Sequence, residues 1–160
     1  MHRKVRAFFI ASAAGLSISS SYAFDVNGFR SGMSLESALT RLRDRSDLVS
    51  EISNAAEKQR SFLGTSRGKD SSEAITACRG LVTSYQYDVA GGMRAFVRLV
   101  QTEQLTRGPG AGQALSRETS IGEWSTLNFT WIEGADHKKL VYSFVTAEQV
   151  YVQHTAGACD

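Results

Sequence analysis

The stretch Gly28–Leu42, "GFRSGMSLESALTRL", decides how the chain begins to fold. Ser34 reads as a helix N-cap, because its hydroxyl can take an amide proton that the first turn leaves unpaired. Leu35, Ala38, Leu39 and Leu42 then recur at i, i+3, i+4 and i+7, one face of a helix. Met33 before the cap and Ala38 within the helix are spaced as a weak hydrophobic staple. Glu36 near the start and Arg41, Arg43 and Arg45 near the end match the sign of the helix dipole. The arginines read as a solvated face. Gly28 and Gly32 allow the tight turns that lead from an extended "FDVNGFRSGM" into the helix.

Upstream, residues 1–23 have the three parts of a secretory signal peptide. Arg3, Lys4 and Arg6 are its basic start, Ala7–Ile18 its apolar run, and Ser21 and Ala23 its small residues before Phe24. The apolar run is shorter than the roughly 20 residues a membrane-spanning helix needs. The exported chain is therefore expected to be Phe24–Asp160, periplasmic or secreted, with no transmembrane span after cleavage. No cysteine adjoins the cleavage site, so a lipid anchor is not expected.

The whole chain carries 18 Lys and Arg against 16 Asp and Glu, a net charge of +2. Arg3, Lys4 and Arg6 leave with the leader, and the remainder is slightly acidic. A nucleic-acid binder would show a basic footprint in the folded part, so nucleic acid is not an expected partner. Cys78 and Cys159 are the two cysteines of the chain. In an oxidising compartment they are expected to pair, with one possible connectivity.

Downstream, Asp47–Gly64 reads as short antiparallel strands, with a second helix as the alternative. Ser66–Ser72 is a polar loop. "AITACRGLVTSYQYDV" has apolar and aromatic residues on both sides of Arg79–Gly80, a hairpin turn. "GGMRAFVRLVQTEQLTRG" predicts a second helix with Met93, Phe96, Val97 and Val100 on one stripe, stopped by Arg107, Gly108 and Pro109. "GPGAGQALSRETS" reads as a flexible connector. Strands are predicted around "STLNFTWIE", "KKLVYSFVT" and "EQVYVQHT", where Phe129 and Trp131 alternate with Asn128 and Thr130.

The expected fold is α+β: two helix-then-strands units forming one antiparallel sheet, with the helices on one face. It is a single domain, 24–160, with halves 24–89 and 90–160. "SGMSLESAL" and "GGMRAFVRL" echo each other across those halves.

Nothing in the chain assembles a catalytic signature. His137 and His154 lack a second ligand at metal-site spacing and read as surface or packed residues. "GFRSG" is not the nucleophile elbow G-x-S-x-G. "RGPGAGQ" lacks the Gly-Lys-Ser/Thr end of a phosphate loop and follows a helix instead of preceding one. No catalytic, metal or cofactor residue is assigned.

The motif Gly28, Phe29, Arg30, Gly32, Met33 and Ser34 resembles the way into the first helix in the β-lactamase-inhibitor-protein-like superfamily. That group includes small secreted envelope proteins and lipoproteins of the SmpA/OmlA type. "RGPG" resembles the close of that group's second helix, with Arg107 where a Tyr is usual. The resemblance implies an α+β envelope protein that is not an enzyme. Beside it, the residues themselves assign Gly28, Gly32, Met33 and Ser34 a folding role.

The leading expectation is an exported, non-enzymatic module that binds a protein partner of the cell envelope through an open sheet face. The alternative is a periplasmic binder of a small molecule or envelope polymer, with a hydrolase a distant third. Tyr85, Tyr87, Trp124 and Tyr151 are the candidate anchors, since aromatic side chains dominate binding surfaces. Tyr151 lies between Val150 and Val152, so it faces away from the helices if those valines face toward them.

Overall fold

The computed structural model describes residues 22–52, 59–66, 71–120, 122–144 and 147–157. Residues 1–21 of the signal peptide assigned to 1–23, and the placement of Cys159, lie outside them. The fold is α+β. Ten strands and two helices follow in the order β1 (Asp25–Val26), β2 (Phe29–Arg30), α1 (Leu35–Arg45), β3 (Leu48–Glu51), β4 (Gln59–Thr65), β5 (Ser72–Cys78) and β6 (Leu81–Asp88). Then come α2 (Gly92–Arg107), β7 (Ala111–Thr119), β8 (Gly122–Glu133), β9 (Asp136–Phe144) and β10 (Glu148–Ala156). β1 and β2 form a small hairpin, and the other eight strands make one sheet in the order β3-β4-β5-β6-β10-β9-β8-β7, antiparallel throughout. Each helix thus precedes a four-strand meander, and the meanders join through β6 and β10. Among the described residues no helix is long and apolar enough to cross a membrane.

The "GFRSGMS" motif acts as a hinge plate between α1 and the sheet. Asn27 and Gly28, both at positive φ, make the β1–β2 turn that an Asn-Gly pair favours. Beyond it, the chain runs beside the start of β6: Gly32 N–H donates to Val82 O, Val82 N–H to Met33 O, and Leu35 N–H to Gly80 O, at 2.8–2.9 Å. Ser34 Oγ accepts from Ser37 N–H at 3.3 Å, the N-cap its sequence position predicts. The motif's four structural residues therefore fix where the helix begins and what it lies against.

Both helices pack on the same face of the sheet. Ala38 and Leu42 of α1 pack with Phe24, Phe29, Met33, Phe62, Ile75, Val82 and Tyr85, all buried. Phe96 and Val100 of α2 pack with Trp131, Leu140, Tyr142, Val150 and Val152. Burying each large apolar side chain contributes about 1.5–3 kcal/mol. The approach of α1 to β4 is close: a Cβ on Gly64 would lie 2.8 Å from Leu42 Cδ1, so only glycine lets the helix settle there. Val97, expected on the buried stripe of α2, is exposed, because Phe96 and Val100, with Met93 and Leu99 beside them, point at the strands. The N-terminus of α2 has no side-chain cap of its own. Glu148 of β10 supplies it instead, taking the Met93 N–H at 3.2 Å and placing a negative charge at the helix's positive end.

The segment read as a flexible connector is instead the nine-residue strand β7, paired with β8 from Ala111↔Thr130 to Thr119↔Gly122 without a register shift. Its glycines serve packing. A Cβ on Gly110 would meet the Trp131 ring at 2.6 Å, and one on Gly112 the Phe129 ring at 3.0 Å. Two aromatic rings of β8 lie over the β7 backbone, covering strand that has no side chains of its own at those points.

Candidate functional site

Alternation along each strand separates the covered face of the sheet from the other one. On β10, Val150, Val152 and His154 are buried toward the helices, and Gln149, Tyr151, Gln153 and Thr155 point the opposite way. The register carries the division across the sheet. Tyr151 lies opposite Val141, Val141 opposite Asn128, and Asn128 opposite Gln113. One row further along stand Gln149, Ser143, Thr126 and Leu115, and beyond them Trp124 and Arg117. On the first meander the same face presents Ser61, Leu63, Ala74, Thr76, Ser84 and Gln86. Among the described residues, no helix lies on this side.

The face is rich in hydroxyl and amide groups and poor in charge. Its middle is tightly laid: Val141, Thr126 and Asn128 are only 3–7% exposed although no helix covers them, because neighbouring strands' side chains close over them. Trp124 stands at its margin, 37% exposed, with the indole N–H donating to Ser143 Oγ at 2.9 Å. That bond holds the ring against the sheet and leaves its other side to solvent. Tyr151 is half-buried. Burial first, and the Asp88 carboxylate second, raise its pKa above the ordinary phenol value, so the hydroxyl stays a protonated donor.

Two of the four candidate anchors are misplaced by the sequence reading. Tyr85 is fully buried beneath α1, its ring 4.5 Å from that of Phe29 and its hydroxyl accepting from Asn27 Nδ2 at 3.1 Å. Tyr87 points to the same covered face, stacked 5.6 Å from Tyr85 and wedged between the two core clusters. Neither can touch a partner on the open face. The register of β6 was the missing information, since β5 and β6 shift against each other at Thr76/Ala77 and put Val82 and Tyr85 in one core. Tyr151 and Trp124 do lie on the open side. Lys139, Gln153, Asn128 and Arg117, which the sequence reading passed over, join them there. The signal was available in the alternation of β8, β9 and β10 once Val150 and Val152 were taken as core.

Elsewhere, most polar groups are matched to one another, with the buried Glu73 Oε2 an exception among the described residues. A hollow of about 620 Å³ at the N-terminus of α2 is lined by Asp88, Gly91, Gly92 and Glu148 among others. Asp88 accepts from Ser72 N–H and Oγ, and Glu148 from Met93 N–H and the Tyr142 hydroxyl. It reads as a structural junction. Among the described residues no group of His, Cys, Asp and Glu could hold a metal ion. Cys78 is disulfide-bonded, and Cys159, its expected partner, lies outside the described residues.

His154 is buried, its Nδ1 3.2 Å from Asp136 Oδ2 and its ring 5.9 Å from that of Phe24. Burial lowers its pKa more than the Asp136 carboxylate raises it, with Lys138 and Arg107 adding to the lowering. His154 is therefore neutral in the fold at pH 7, with Nδ1–H donating to Asp136. As pH falls below about 6.5 the unfolded chain takes up a proton that the folded chain refuses. Stability should fall from that point down to the folded pKa, and melting temperatures recorded from pH 8 to pH 5 should show it. His154→Gln should flatten the profile; a profile unchanged by the substitution would assign the loss to other groups.

Fold and face together define an α+β protein with a helix-backed antiparallel sheet and an aromatic-bearing face left open. No family model, curated protein or solved structure matches the chain.

Proposed function

We propose that the chain is an exported, non-enzymatic binding module of the cell envelope that takes a protein partner on the open face of its sheet. The observation that carries this reading is the pairing of Trp124 and Tyr151 on a face rich in Ser, Thr, Asn and Gln. That combination, rigid aromatic anchors among small adaptable hydrogen-bonding groups, is how antibody paratopes bind proteins. The two rings are separated by two strand spacings and four residues of rise, about 17 Å. A footprint of about 800 Å² per partner covers both. The likeness of "GFRSGMS" to small envelope proteins supports the same compartment. The hydroxyl and amide density of the face also favours a second reading, an envelope polymer that stacks on the two rings.

The test is capture from the native envelope by the tagged exported chain, crosslinked and identified by mass spectrometry. Trp124→Ala and Tyr151→Ala should each weaken capture about tenfold or more, as loss of a hot spot does, with the melting temperature little changed. Capture unaffected by both substitutions would overturn the assignment of the face. Binding to purified envelope polymer with no protein retained would select the second reading.

A further inference from the structure

The two edges of the sheet are built differently. β3 is four residues long, and the Glu51–Arg60 ion pair ties its end to β4. β7 is nine residues long, exposed from Ala111 to Glu118, and among the described residues has β8 as its one neighbour in the sheet. Edges are normally blunted by proline, lysine, a bulge or shortness, because a free row of N–H and C=O groups recruits another strand. β7 lacks Pro and Lys in its sequence "AGQALSRET", its charges Arg117 and Glu118 stand side by side near one end, and its register with β8 is unbroken. We propose that β7 is a self-association edge, pairing antiparallel with β7 of a second copy to join two sheets into one.

The sequence of the strand selects both the occupant and the register. A two-fold axis through Leu115 pairs all nine residues, with Leu115 against the second copy's Leu115, Gln113 against its Arg117, and Gly112 against its Glu118. Leu115 is half exposed in the isolated chain, and this pairing covers it. No like charges meet. Moving the axis to Arg117 or Glu118 would set each against its own copy, which costs stability. Moving it one residue the other way, to Ala114, draws Pro109 into the ladder, where it has no N–H to give. All two-fold registers are self-complementary, and the axis through Leu115 is the one that pairs the whole of Ala111–Thr119 with nothing left over. Because Gln113, Leu115 and Arg117 belong to the open face, the two open faces become continuous across the axis.

One strand pair is a small interface, so the dimer should be weak and concentration-dependent. Sedimentation equilibrium on the purified exported chain, with no partner present, should show a monomer–dimer equilibrium between roughly 10 µM and roughly 1 mM. Leu115→Lys sets two ammonium groups opposite each other and should weaken the dimer about tenfold or more, whereas Leu48→Lys on the β3 edge should not. Leu115→Cys should form an interchain disulfide under mild oxidation, since opposed Cβ atoms lie about 4.5–5.5 Å apart. Arg117→Cys should not crosslink. A monomer at every concentration, or dimerisation untouched by Leu115→Lys with no crosslink through Leu115→Cys, would overturn the proposal. Either result leaves partner capture through Trp124 and Tyr151 to stand or fall on its own assay.

Discussion

Tyr85→Ala should destabilise the chain by about 4 kcal/mol, the usual cost of removing a large aromatic side chain from a core. The ring is wholly buried, packed on Phe29 and Tyr87, and central to the cluster beneath α1. Deleting it leaves a void that Phe29 and Ile75 cannot close, because both are held by strands. The substitution also removes the phenol oxygen that the Asn27 side chain now bonds; Asn27 is exposed, so water can take its place there. Tyr85→Phe separates the two contributions and should cost only about 1 kcal/mol. Urea unfolding measures both. Tyr151→Ala is the internal comparison: it loses a half-exposed ring and should cost about 1 kcal/mol or less. A Tyr85→Ala chain as stable as the parent would falsify the placement of this ring in the core.

Cys78→Ser should have an effect of similar size by a different route. Cys78 ends β5 next to the Arg79–Gly80 turn, and β10 runs antiparallel to β6 toward that same end of the sheet. A bridge from Cys78 to Cys159 closes a loop of about 80 residues, and its removal should cost about 4–5 kcal/mol in the chain-entropy model. At this chain length that corresponds to a drop in melting temperature on the order of 15 °C. The folded structure should survive, since the cost lies mostly in the freedom regained by the unfolded chain. Non-reducing peptide mapping of the parent should recover one linked peptide containing both cysteines; two freely alkylated thiols in native protein would refute the pairing.

What was legible in the sequence follows from how each element is stabilised. α1 announced itself because a cap, an apolar stripe and a charge gradient all agree over eleven residues. β8, β9 and β10 were legible because the side of each that faces the helices is apolar, and that writes alternation into a strand. β7 was not, because it is exposed on both sides and nothing selects its side chains in pairs. Its glycines mimic a loop while accommodating the Trp131 and Phe129 rings. On the open face, Tyr151 could be oriented from its two flanking valines alone. Tyr85 and Tyr87 could not, because the shift between β5 and β6 breaks simple alternation at the place where it would have to be counted.

The position of β10 has a consequence for how the chain is made. It is the last of the described strands in chain order, yet it lies at the centre of the sheet, bonded to β6 on one side and β9 on the other. Ser84 Oγ reaches the His154 carbonyl across a sequence separation of 70. Until β10 arrives, each meander exposes a long inner edge, and both edges are ready to take a foreign strand. Contacts of such long range make folding slow. The chain therefore passes its most vulnerable moment before β10 is in place, and β10 works as a zipper that shuts two half-built sheets against each other before a neighbour can.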